Sequence, residues 1–334
     1  MRRSSKPSLR ALNSSRRQAQ ARKKLRLETL EDRILLAVRI WDGGGVTANW
    51  SEAANWVGDV APLQNDDLVF DAAAGDKVAI NDFAAGTVFN TVSISGSGYD
   101  ISGASISLLG GLTANPAAGN NVFDVGIQII GNQTIASANA GSTLTLGDID
   151  TGSLFVVTFN GDGDIEVDGQ ISGAGGITKL GRGTTFLTGD NSYEGLTTIT
   201  AGVVQIEHGN ALGADTAATI VGSGAALHVA GGIDVGAEAL HLTGRGIDGP
   251  TDQFGSTGAL RNISGDNTWA GQIALTNTVV VGVDDGSLNI SGVISNANST
   301  AMNLVKMGNG TLSFSGDQTN TYSGTTYVNE GTLL

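Results

Sequence analysis

The chain has 334 residues, 50 of them glycine, only four prolines and no cysteine, which excludes a disulfide framework and a thiol enzyme and points to many turns between short strands. Charge is split: residues 1–39 carry twelve of the eighteen Lys and Arg and three of the thirty-two acids, a net of +9, leaving six bases and twenty-nine acids, a net of −23, in residues 40–334. So acidic a body repels nucleic acid and anionic membrane surfaces, and no apolar run approaches the roughly 18 residues of a transmembrane helix.

Residues 1–39 read as a basic export or targeting tail, disordered or short-helical, whose partner is the export machinery. The opening is basic as in a signal peptide, but Ile34 to Val38 supplies a shorter apolar core than the usual 7 to 15 or so residues. Leu27, Leu30 and Ile34, at i, i+3 and i+7, line one face of a short helix. Residues 40–75 read as an N-terminal cap, because Trp41, Trp50 and Trp56 cluster there and a stack of coils needs its open end covered. A carbohydrate-binding aromatic platform is the rival reading of the same three side chains.

Residues 76–334 alternate apolar and small polar residues between clusters of Gly, Asn, Asp and Ser, the pattern of short strands joined by tight turns. Strands are predicted at Val92 to Ile94, Ile106 to Leu108, Ile127 to Ile130, Leu144 to Leu146, Leu154 to Val157, Val203 to Ile206, Leu227 to Val229, Leu240 to Leu242, Val279 to Val281 and Leu288 to Ile290. With about 20 to 25 residues per coil, the body makes about 12 to 15 coils of an all-β parallel β-helix, a β-solenoid. An antiparallel sandwich or barrel array uses the same strands and is the alternative.

An internal repeat supports the solenoid. Lys179, Gly181, Gly183, Thr184, Gly189 and Asp190 align with Lys306, Gly308, Gly310, Thr311, Gly316 and Asp317. After a two-residue insertion, Asn191, Tyr193, Gly195, Thr197 and Gly202 fall on Asn320, Tyr322, Gly324, Thr326 and Gly331, and the match begins upstream, giving repeats at about 163–206 and 286–334. A module of this kind cannot bury its apolar face alone and stacks on its neighbours. Valine at Gly189 or Gly316 is expected to destabilise the coil if glycine there adopts φ > 0.

The stretches GGITKLGRGTTFLTGDNSYEGLTTITAG and NLVKMGNGTLSFSGDQTNTYSGTTYVNEGTLL resemble the autotransporter-associated β-strand repeat, or passenger-associated transport repeat, of large bacterial surface proteins. GALRNISGDNTWAGQIAL, with Trp269, is similar to the coil that commonly lies between such repeats, and the Trp41 to Trp56 block resembles the family's opening. LETLEDRILLA resembles the LEPR-x-LL segment that begins many planctomycete surface proteins, with Asp32 where that motif has proline. The resemblance implies a non-catalytic passenger, exported to the cell surface, the outer membrane or the extracellular space, that serves as scaffold or adhesin. Its implied partners are extracellular glycans, the cell envelope or neighbouring surfaces. An autotransporter would continue into a membrane β-barrel, whereas this chain stops at Leu334 inside a repeat, so a fragment or another export route is expected.

No catalytic, cofactor-binding or metal-ligating residue is assigned. His228 and His241 sit between apolar neighbours and are expected to face solvent, and neither has a second ligand at fixed spacing. The acidic pairs Asp66/Asp67, Asp162/Asp164 and Asp284/Asp285 read as turn residues, Asn160 to Ile165 being a single imperfect copy of a calcium nonapeptide that works only in tandem. Gly43 to Gly45, Gly173 to Gly176 and Gly181/Gly183 lack the Lys-Ser/Thr of a phosphate loop. The alternatives to a scaffold are a polysaccharide-degrading β-helical enzyme, needing facing carboxylates or a unique basic residue, and a glycan- or calcium-binding module.

Overall fold

The computed structural model describes residues 36–247 and 257–334. The prediction of a mobile or helical tail falls on residues 1–35, outside the described residues. From Leu36 onward the chain is a parallel β-solenoid of about 12 coils, and among the described residues its helical structure is a single 3-10 turn, Ala53–Asn55. Two long sheets, of 12 and 15 strands, run along the stack, joined from Asp234–Val235 onward by a third of five strands. Their ladders are parallel from first to last, which rules out the antiparallel alternative. The first strand, Val38–Trp41, takes in the last two residues of the segment read as tail.

Alternation dictates the layering. Thr158, Thr178, Thr198, Ile220 and His241 stand in register on five successive strands of the 12-stranded sheet, while the next residues, Phe159, Lys179, Ile199, Val221 and Leu242, form the adjoining inward row. Every member of that inward row is buried. Because side chains in a strand alternate between faces, stacking coils in register joins all the inward rows into one core.

Aromatic rings cluster in the first described coils. Trp41, Trp50 and Trp56 are each fully buried; Trp41 meets Trp56 edge to face at 5.2 Å, and Trp50 packs on Trp56, Phe70 and Phe89. The Trp41 indole donates to the Asp76 carbonyl and the Trp56 indole to the Trp50 carbonyl, both at 2.8 Å. With no ring face open to solvent, these residues form a buried aromatic cluster and not an exposed sugar platform. Asp66 pins the entering strand, its carboxylate accepting from Arg39, Leu63 and Ala37. Burial opposes its charge, but those bonds outweigh it and hold its pKa below the usual value.

Gly189 and Gly316 do not adopt positive φ; the left-handed repeat pairs are Gly181 and Gly308, at +72° and +79°, and Gly202 and Gly331, at +68° and +67°. What fixes glycine at 189 and 316 is the neighbouring coil, since an added Cβ would stand 2.6 Å from the Gly169 carbonyl oxygen and 2.1 Å from that of Ser291. Backbone cannot yield as a flexible side chain does. Gly189→Ala is expected to cost about 2 kcal/mol, read as a lower urea midpoint at unchanged m-value; a loss below about 0.5 kcal/mol would refute the close-approach argument.

Candidate functional site

The most recurrent polar residues of the chain turn inward. Lys179 is the last residue of its strand and Lys306 the last but one of its own; both stand on core rows and are buried. Each ammonium bends onto the turn that follows it: Lys179 Nζ donates to the carbonyls of Leu180 and Gly181, and Lys306 Nζ to those of Met307, Gly308 and Glu330, at 2.6 to 3.3 Å. Burial lowers both pKa values, that of Lys179 to about 8, against the attraction of Asp164 and Asp162; for Lys306 the opposing acids are Glu330 and Asp284. These lysines gather carbonyls at a coil corner, where Gly202 passes so close that a Cβ would lie 2.9 Å from Lys179 Nζ.

The remaining shared residues do the same kind of task. Asn191 accepts from the Ile171 amide and donates to the Ala211 carbonyl, and Asn320 accepts from Ile294 in the equivalent place. The Tyr193 hydroxyl pairs with Thr197 at 2.6 Å, as Tyr322 does with Thr326. Burial raises the Tyr193 pKa, so it stays a neutral hydrogen-bonding phenol. Tyr193→Phe and Tyr322→Phe are each expected to cost about 1 kcal/mol, measured by denaturant unfolding; loss of a cell-surface activity without loss of stability would instead mark a site.

The histidines do not assemble into a centre. His241 is half-buried on the outward threonine row. His228 does point outward, in the row Gln205, His228, Arg261 and Gly282, but it is buried, with no hydrogen-bond partner for Nε2. Solvent exposure was the wrong inference, because an outward position on this face does not mean exposure: farther along it Val280, Val305 and Met307 form a second apolar cluster, and a side chain at Gly282 would run into the Thr257 carbonyl. Burial lowers the His228 pKa to about 4, reinforced by Arg261 and opposed by Asp284. Arg261 and Asp284 themselves form a two-point ion pair, with Nη2 to Oδ2 at 2.6 Å and Nε to Oδ1 at 3.1 Å.

Of the other acidic pairs, Asp67 accepts from Asn90 and Thr91, and Asp164 from the Thr184 amide. Among the described residues no three His, Asp or Glu side chains gather closely enough to hold a metal ion. Glu238 is the most perturbed carboxyl: it is buried, one oxygen accepts from Thr219 at 2.8 Å, and the other has no partner. Burial raises its pKa to about 7, with Asp215 adding to the rise.

The outer surface carries a groove of about 500 Å³ built by two outward rows. The long strands Asp100–Leu108 and Gly119–Ile129, followed by the short strands Ile149–Asp150 and Ile171–Ser172, set Ser107, Gln128, Asp150 and Ser172 in register. Two residues earlier lies a second row containing Ser105, Gly126, Asp148 and Gln170. The side chains are braced: Ser107 donates to Gln128 at 3.0 Å, Asp148 accepts from the Gln170 amide, and Gln170 Nε2 donates to the Asp190 carbonyl. A second hollow of about 320 Å³ adjoins it at Asp148, with Asp124 and Asp168 in its wall. Sequence reasoning missed these residues, since they share no identity; their only signal is an outward position on consecutive coils.

The passenger-associated-transport-repeat family matches at residues 177–206 and 304–334. The chain is 30% identical over 288 residues to the adhesin BmaC autotransporter of Brucella suis biovar 1 (strain 1330), an alignment covering 85% of this chain and 6% of that protein. The chain thus spans a small fraction of the length of the curated relative it matches. No solved structure matches it. Among the described residues no helix is long and apolar enough to cross a membrane. The chain thus carries two passenger-associated transport repeats, whose lysine, asparagine, tyrosine and glycine residues recur in both.

Proposed function

We propose that the chain is part of an exported, non-catalytic passenger that acts at the cell surface as a scaffold and adhesin. The observation that carries this reading is the inward placement of the repeated residues: Asn191, Asn320 and Lys306 bond to a neighbouring coil, while Lys179, Tyr193 and Tyr322 bond within their own coil. Repetition here serves length, and length displays an acidic outer surface. The likeness to an autotransporter adhesin supports the same role. A lyase reading gains nothing from the groove, whose lining contains no lysine or arginine, and the carboxyl with the highest pKa, Glu238, is buried outside it.

Export is attributed to residues 1–39 and is tested by fusing residues 1–40 to a reporter in a Gram-negative host; a wholly cytoplasmic reporter would count against it. The adhesive role is tested by displaying the chain on a non-adherent bacterium, with attachment to glycan-coated and cell surfaces as the readout. Attachment no better than that of cells displaying an unrelated β-solenoid would overturn it. Turnover of a polysaccharide, abolished by one Asp-to-Asn change in a stably folded variant, would favour the enzyme instead.

A further inference from the structure

The groove at Ser105, Gln128, Asp148, Asp150, Gln170 and Ser172 has the chemistry of a site for a neutral sugar chain. Its polar side chains recur on successive coils, which are about 4.7 to 4.9 Å apart along the stack, a spacing close to the advance of one sugar in an extended β-linked glycan. Serine hydroxyls, amides and carboxylates together present both donors and acceptors, as a polyol requires, and the bonds from Ser107, Gln170 and Gly152 hold Gln128, Asp148 and Asp150 in place before any ligand arrives.

The same lining argues against other occupants. Carboxylates with no lysine or arginine among them, on a body of net charge −23, repel uronate or sulfated chains. An extended peptide would need a free strand edge or sockets for alternate side chains. The strand Ile149–Asp150 is paired on both sides, with Gly119–Ile129 and Ile171–Ser172; Ile171–Ser172 is the terminal strand there, but the Ile171 amide donates to Asn191 and its carbonyl accepts from the Ser192 amide, and the isoleucines of the lining point into the core.

We propose that this groove docks a neutral, hydroxyl-rich oligosaccharide lying along the solenoid axis. This rests on the adhesin reading and gives it a ligand class. Because the lining has no aromatic ring for a sugar to stack on, each site is weak, with Kd on the order of 1 mM, and attachment gains strength from many copies on one cell.

The test is affinity electrophoresis of the full chain in gels containing hydroxyethyl cellulose, arabinoxylan or galactomannan, beside polygalacturonate and chondroitin sulfate, with oligolysine titrated separately by calorimetry. Retardation by at least one neutral polymer and by neither anionic one is expected. The Gln128→Ala/Asp148→Ala double variant should weaken binding about tenfold or more, roughly 1.4 kcal/mol or more. Ser172→Trp should weaken it similarly by filling the groove without removing its other polar groups, whereas Thr198→Trp, on the outward row of the 12-stranded sheet, should not. Circular dichroism and the thermal midpoint check each fold, and Ser172→Trp decides if the double variant unfolds. The proposal is overturned by no retardation in any neutral polymer, by binding that survives in both groove variants, or by binding to oligolysine alone. If cells displaying the groove variants attach as strongly as before, the groove assignment fails while the adhesin reading stands.

Discussion

Trp50→Ala is expected to lower the unfolding free energy by about 3 to 5 kcal/mol, the range for deleting a buried aromatic side chain. Trp50 is fully buried between Trp56, Phe70 and Phe89, with centroids 5.7 to 6.5 Å away. Its indole nitrogen has no hydrogen-bond partner, so the loss is one of packing alone. The position magnifies the consequence. In a solenoid each coil is held by its neighbours, and Trp50 packs where the first described coils meet. Urea unfolding followed by tryptophan fluorescence, with hydrogen exchange to locate the weakened region, should show the deficit concentrated at the N-terminal coils. Val46→Ala, at a residue 97% exposed in the same block, should change stability by no more than about 0.5 kcal/mol. Equal effects of the two changes would refute the cap.

Glu238→Gln is expected to stabilise the protein above pH 7 and to do little below pH 4.5. The folded carboxyl has its pKa raised from 4.5 to about 7 by burial. Between those values the unfolded chain releases the proton while the folded chain keeps it, so wild-type stability falls as pH rises through this window. Above pH 7 the full cost is present, about 3 kcal/mol at 1.36 kcal/mol per pKa unit. Glutamine removes the titration while retaining an oxygen to accept from Thr219. The measurement is the difference in unfolding free energy between variant and wild type from pH 4 to 9. A difference that stays flat across pH 4.5 to 7 would refute it. His228 acts with the opposite sign: its pKa falls from 6.5 to about 4, so its contribution is lost as pH drops from 6.5 to 4. Both variants share that contribution, and subtraction removes it.

Local structure was legible because a strand's period and a turn's composition are written into neighbouring residues. Alternation placed Leu227 and Val229 inward, and the glycine punctuation marked the corners. The repeat announced that one module recurs, and the structure gives the lysine, the asparagine and the tyrosine a bond of the same kind in both copies. The mutual burial of Trp41, Trp50 and Trp56 was readable because large rings concentrated in one short block pack against one another.

What the sequence determined by itself, then, was the parallel-coil fold, the repeated corner of lysine, asparagine, tyrosine and glycine, and the acidic outer surface. The tertiary structure decided which sheet each copy joins: Ile177–Lys179 lies in the 12-stranded sheet, whereas the equivalent Leu304–Met307 lies in the 15-stranded one. The extra strand Asp234–Val235 opens the third sheet between the copies, so the second copy is displaced by one face, a cumulative effect of coil geometry that no local pattern encodes. It also decided which outward residues meet water. Alternation fixes the direction of His228 but not whether another segment covers it, and the groove exists only because Gln128, Asp150 and Ser172, about 22 residues apart in sequence, are brought one coil spacing apart by the parallel ladder.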